Sequence, residues 1–227
     1  MAYGRYIVFL LCSFFSTGMA QSYGEYWYDN PLGFSPVNLH TKNGFLIPAL
    51  AVGLGTLLTD RETDGPHQSE WFMESGVSWG YKYPRTTLSQ TNIGVLMFLR
   101  QWMAVGVDAG MYVPRDAFNR TIGIAIRPFA RFYAIHNGST RLYFESGGGF
   151  INFTETFPQR TDRDPRLGTP WDGTTRYGIG AETAITPTVR LLLAVRHVHV
   201  SNGNTSGVER NPSHDSNGFS LGVSFDR

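Results

Sequence analysis

Cysteine is all but missing from the 227-residue chain. The one thiol, Cys12, falls in an N-terminal apolar run, so no disulfide framework holds the fold together. Charge of one sign is lacking too: 19 Lys plus Arg stand against 18 Asp plus Glu, a balance that argues against nucleic acid, which requires a basic patch. Beyond residue 20 no stretch approaches the length of a membrane-spanning apolar helix, so any membrane embedding has to come from strands.

What is present begins with a secretory signal. Arg5, an apolar run from Ile7 to Phe15 and the small-x-small triplet Gly18-Met19-Ala20 predict export through a cleaved signal peptide, with the mature chain starting near Gln21. From residue 69 onward, apolar residues alternate with small or polar ones at period two. In 102–113, Met103, Val105, Val107, Ala109, Met111 and Val113 share one face, and Ala104, Gly106, Asp108 and Gly110 the other. Candidate strands fall near 69–83, 91–99, 102–113, 120–135, 140–153, 174–185, 189–201 and 217–225. They are long for a soluble sheet and near the length a membrane-spanning strand needs.

The faces opposite the apolar ones carry Glu145, Arg176, Glu182 and Arg196, as the ion-paired lumen of a small barrel would. The aromatics Trp71, Trp79, Tyr81, Tyr83, Trp102 and Tyr112 read as interface girdles. Short connections (100–101, 136–139, 186–188) alternate with long ones (84–90, 114–119, 154–173, 202–216), which predicts an eight-stranded antiparallel transmembrane barrel with periplasmic termini. Residues 1–20 are then a signal peptide, 21–68 a periplasmic or interfacial extension and 69–227 the barrel. The segment Gly44 to Leu58 is strand-like but outside the count; as half of an extra pair it would make ten strands.

One strand end carries chemistry. His199 and Ser201 are two residues apart, so in a strand they share a face about 6.6 to 6.8 Å apart along the chain. A general base then lies beside a nucleophile, on the face that already carries Val189, Leu191, Leu193 and Val195. If the last strand descends, this one ascends, and the pair sits on the lipid-facing side at outer-leaflet height. His197 shares that face and suits a contact with lipid phosphate. His197, His199, His214 and Asp215 are also proper zinc ligand types, but their spacing follows no standard pattern and no cysteine joins them.

The segments Arg196-His197-Val198-His199-Val200-Ser201-Asn202, Asn211-Pro212-Ser213-His214-Asp215-Ser216 and Leu221-Gly222-Val223-Ser224-Phe225 resemble the outer-membrane lipid A deacylase family, the PagL-type barrels. The resemblance implies hydrolysis of an ester-linked acyl chain of lipid A, in the Gram-negative outer membrane, by a Ser-His-acid arrangement without cofactor or metal. By position, Ser201 matches the nucleophile, His199 the base, Asn202 the oxyanion-hole residue, with the Asn204 N–H as a second donor, and Asp215 the acid. Aspartate stands where the family's most studied member has glutamate and is one methylene shorter, which leaves Glu209 as the alternative acid. Gly203-Asn204 replaces the usual Ala-Gly. Lipopolysaccharide is then the partner, and a homodimer is an allowed assembly. The competing reading is a non-catalytic adhesion or structural barrel whose loop 154–173 makes the contacts.

Overall fold

A computed structural model describes residues 41–59, 69–136 and 139–226 of the chain. The segment 1–20 expected to be a signal peptide, with Cys12, lies outside the described residues. Eight strands follow one another around a closed antiparallel barrel. They are β1 (Ser69–Gly80), β2 (Thr87–Arg100), β3 (Met103–Arg115), β4 (Gly123–His136), β5 (Thr140–Phe157), β6 (Thr169–Ala184), β7 (Val189–Ser201) and β8 (His214–Asp226). β8 pairs back onto β1, with Trp71 opposite Phe225 and Trp79 opposite Asn217. Closure leaves no unpaired strand edge, as a barrel in lipid requires.

Period two decides which side chains face out. Along β1, Trp71 and Met73 are exposed while Phe72 and Glu74 are buried; along β7, Leu191 and Leu193 are exposed while Leu192 and Ala194 are buried. The outward band of Ile93, Met97, Val107, Ile124, Ile126, Ile179, Phe219 and Leu221 is apolar throughout.

The interior is filled in layers. Toward the long loops lie Leu88, Tyr112, Ile151, Phe153, Phe157, Val198 and Val200. Toward the short turns lie Phe72, Leu96, Phe98, Phe129, Tyr133, Tyr143 and Leu192. Between them Arg176 bridges Glu74, Asp108 and Glu145 at 2.9 Å each, while Arg131 reaches Glu145 at 2.7 Å and Glu182 at 2.9 Å. Arg127 pairs with Asp108 at 2.6 Å, Arg196 with Glu74 at 2.6 Å, and Arg141 with Glu70 and Glu182. Every buried arginine in this layer is thus matched by carboxylates, which such depth demands. The expected pairing of Glu145, Glu182, Arg176 and Arg196 across the lumen is observed.

Four expectations need correction, one of them Tyr81, which is buried beside the His197 ring and is no girdle residue. Gly44 to Leu58 is not a strand: Thr41–Leu58 forms helix α1 against the outside of β3 to β7, and the ten-strand alternative falls away. The reason is closure, because a ninth segment finds no sheet edge and only a helix meets its own backbone hydrogen bonds. By itself no described helix is long and apolar enough to cross a membrane. Tyr112 is no girdle residue: it shares parity with Gly110 and points inward, its Oη accepting from Arg127 at 2.7 Å. Trp102, also expected in the girdle, is covered by α1 and packs with Ala51, Met103 and Phe132.

Candidate active site

The loop-side ends of β6, β7 and β8 converge on one outward patch. In register, Ser201 faces Gly173, His199 lies between Thr175 and Asp215, and His197 lies between Tyr177 and Asn217. All three β7 residues have the parity of exposed Leu191 and Leu193 and so point out of the barrel, yet each is covered: His197, His199 and Ser201 are about 5%, 3% and 6% exposed.

His199 Nδ1 lies 2.7 Å from Asp215 Oδ1. Aspartate therefore reaches the ring, because direct cross-strand register brings the two backbones together and the missing methylene is not needed. Glu209 sits in a short 3-10 turn, Val208–Arg210, with its carboxylate folded against Gly207, so the two candidate acids occupy different places. Asp215 is gripped from three sides: by His199, by Lys82 Nζ at 2.7 Å on Oδ2, and by His197 Nε2 at 3.5 Å. His197 in turn shares a 2.9 Å hydrogen bond through Nδ1 with Asn217 Oδ1 and packs its ring against Tyr177 and Tyr81. Its contacts in the structure are thus with Asp215, Asn217 and the two tyrosines.

Ser201 Oγ donates to Asn211 Oδ1 at 2.9 Å and accepts from the Gly203 N–H at 3.0 Å. The turn behind it is set by backbone sign. Gly203 and Asn204 both have φ of 63°, and Thr205 N–H closes on Asn202 C=O at 3.2 Å. Glycine and asparagine are the residues that accept two consecutive positive φ values. Asn202 holds this turn to its neighbours. Its Nδ2 donates to Thr169 Oγ1 at 3.1 Å and Arg210 C=O at 2.6 Å, and its Oδ1 accepts the Asn204 N–H at 3.0 Å. Asn211 Nδ2 completes the knot by donating to Asn204 Oδ1 at 2.8 Å.

Beyond Asp215, on the loop side, a cavity of about 250 Å³ is lined by Lys82, Tyr83, Thr161, Arg166, Ser213 and His214 among others. The overhanging loop 158–168 is braced by Arg166, whose hydrogen bond to Asp164 holds that carboxyl below the usual aspartate range.

Lys82 and Asn211 are the members that sequence reasoning did not single out. Lys82 comes from the far side of the β8–β1 closure, 133 positions from Asp215, with no local motif to mark it. Asn211 lay in the recognised turn segment, where an asparagine before a proline reads as turn chemistry.

A family model described as lipid A 3-O-deacylase (PagL) matches residues 73–224. Among solved structures, the outer membrane enzyme PagL is similar at 16% identity and a TM-score of 0.50, over 68% of this chain and 98% of that one. Neisserial surface protein A is similar at 13% identity and a TM-score of 0.48, over 70% and 95%. The N-terminal β-barrel domain of Pseudomonas aeruginosa OprF gives 16% and 0.44, over 72% and 100%. No curated protein sequence matches significantly. With the family model covering well over half of the chain, this outer-membrane barrel belongs to the lipid A 3-O-deacylase (PagL) family.

Proposed function

We propose that the barrel cleaves the 3-O-linked acyl ester of lipid A on its outward wall, with Ser201 as nucleophile, His199 as general base and Asp215 as the carboxylate that fixes the base. The observation that carries this reading is the buried 2.7 Å contact between His199 Nδ1 and Asp215 Oδ1, two residues from Ser201 on one outward stripe. A serine hydroxyl needs a base, and the base needs its other nitrogen occupied by a carboxylate so that Nε2 is left to take the proton. Ser201 Oγ now points at Asn211; rotation about its Cα–Cβ bond turns it to the substrate, and such contacts commonly tighten only when substrate binds.

Ser201 Oγ attacks the ester carbonyl carbon as its proton passes to His199 Nε2. Collapse of the tetrahedral species breaks the ester C–O bond, and the sugar hydroxyl leaves with that proton. Water then attacks the acyl-serine by the same route and frees the fatty acid. The Asn202–Asn204 turn supplies the oxyanion contact. The Gly203 N–H already lies within 3.0 Å of Ser201 Oγ, and Asn202 and Asn204, which lock the turn, can donate once they release their present partners. The acyl chain follows the stripe of Val195, Leu193 and Leu191, and the polar part of the lipid meets the loop-side cavity beside Lys82 and Arg166.

The test is mass spectrometry of lipid A from cells expressing the wild type or Ser201→Ala. Loss of one ester-linked acyl chain with the wild type and its retention with Ser201→Ala is expected. Equal deacylation by both would overturn the assignment.

A further inference from the structure

Helix α1 precedes the stretch matched by the family model, which starts at residue 73. From Gly44 to Leu58 it contains no charged residue. Its two sides differ in size. Gly44, Pro48, Ala51 and Gly55 are buried, whereas Phe45, Leu46, Leu50, Leu54, Leu57 and Leu58 are exposed, the last two at 83% and 64%. In water that outer row would be a costly apolar ridge. In a bilayer it meets acyl chains, and the uncharged part of the helix, about 22 Å long and held along its length by the wall, lies within the apolar band of an outer-membrane barrel, about 25 Å tall.

The wall beneath it is cut to receive it. Outward positions elsewhere carry Ile124, Ile126, Phe150 and Ile179, all well exposed, but under the helix they shrink to Ala130, Ser146, Gly148 and Thr175, all buried, while at its short-turn end Trp102, Met103 and Phe132 fill the space against Ala51 and Gly55. Small residues on both surfaces let backbones approach closely, which is how helices associate in lipid without a hydrophobic driving force. At the short-turn end, Arg100 donates to the carbonyls of Thr56 at 3.1 Å and Thr59 at 2.9 Å. These are carbonyls that a helix end leaves unmet, and a cation suits that end of the dipole.

At the other end a Cβ on Gly44 would collide with Thr175 Cγ2 and lie 3.1 Å from Thr175 Cβ. Thr175 is the direct cross-strand partner of His199 on the outward face. The first turn of α1 therefore stands beside the catalytic base, on the side of β6.

We infer that α1 is a membrane-embedded ninth element of the wall, whose first turn closes the β6 side of the cleft and makes Gly44 a specificity-determining residue for the acyl chain. The inference rests on the deacylase reading. With that side shut, the chain to be cleaved lies over β7 and β8, along Val195, Leu193, Phe219 and Leu221. Any side chain at Gly44 lifts the turn from Thr175 and opens a second path, so discrimination between acyl lengths falls.

Two measurements on the full chain in outer membranes test this. Gly44→Cys with Thr175→Cys should form a disulfide, read as a reducible shift in gel mobility, because a Cβ–Cβ separation of 3.1 Å needs only a few tenths of an ångström of give to reach the bridging range of roughly 3.5 to 4.5 Å. In parallel, kcat/KM is measured on lipid A bearing a short or a long 3-O-acyl chain. Gly44→Leu should shift the long-to-short ratio by roughly tenfold, and Gly44→Ala by less. Thr175→Ala, which removes the atom that the new Cβ strikes, should restore the ratio in Gly44→Ala. Absence of the disulfide in a folded barrel, or an unchanged ratio in Gly44→Leu, overturns the inference. A wild type inactive on both lipids would instead reject the deacylase reading itself, and this inference with it.

Discussion

Replacing Asp215 by asparagine should reduce turnover by about four orders of magnitude while leaving the barrel intact, and the geometry says why. The carboxylate has two jobs: Oδ2 accepts from Lys82 Nζ at 2.7 Å and Oδ1 faces His199 Nδ1 at 2.7 Å. An amide is isosteric but has only one acceptor. Lys82 offers donors alone, so it captures the amide oxygen and turns the NH₂ group toward His199. The ring must then accept at Nδ1 and carry its proton on Nε2, the nitrogen that should take a proton from Ser201. The same wrong-tautomer substitution in a serine protease costs about 10⁴ in kcat, which corresponds to roughly 5.5 kcal/mol of barrel-bound transition-state stabilisation here. Rates on lipid A in detergent micelles, with gel mobility to check folding, give the measurement. The argument adds a sharper expectation. Lys82→Met in the Asp215→Asn background frees the amide to turn over, so the double variant should be faster than Asp215→Asn alone. A double variant no faster, or Asp215→Asn within about tenfold of wild type while Glu209→Ala loses activity, would refute the reasoning.

By itself Lys82→Met should lower kcat roughly tenfold with little change in KM, since one charge-assisted hydrogen bond to the acid is lost and water replaces part of it; an unchanged kcat contradicts that role. Arg176→Met takes one arginine from each of Glu74, Asp108 and Glu145, leaving them to Arg196, Arg127 and Arg131, and should destabilise the barrel by about 3 kcal/mol, measured by urea unfolding in detergent; a loss under about 1 kcal/mol would mean that the remaining arginines suffice. Asp164 should titrate below the ordinary aspartate value. A depressed pKa means that the Arg166 brace is fully present above the unfolded value and is lost as pH falls through the folded one. Amide protection factors of loop 158–168, taken relative to the intrinsic exchange rate at each pH, should therefore fall only in that acidic window, and a fall at neutral pH would contradict the brace.

Much of the barrel could be read from period two alone, because a wall with lipid outside and packed side chains inside imposes strict alternation. β7 was legible to the residue at both ends, and Glu145, Glu182, Arg176 and Arg196 announced themselves as charges on the inner parity. Residues that leave the alternation were harder. Tyr112 looked like a girdle aromatic by type, although its parity already sent it inward. The N-terminal segment looked like a strand because it is apolar and carries glycine and proline. Its 4-3-4 spacing of Gly44, Pro48, Ala51 and Gly55 was the helical signal, and only the closed sheet beside it gives that signal weight. In the site, His199 and Asp215 lie on neighbouring strands and could be paired from sequence. Lys82 could not, since it meets them only because the first and last strands close the ring.

The layered interior has a consequence for the cell that hosts the protein. With arginine–carboxylate pairs between two plugs of apolar side chains, the interior formed by the described residues is filled by side chains, as eight strands allow, and copies are expected to accumulate in the outer membrane without shunting ions, which conductance across planar bilayers would check. Each copy displaces lipid as a solid post would, leaving the permeability barrier of the leaflet to depend only on what is done to the lipid around it.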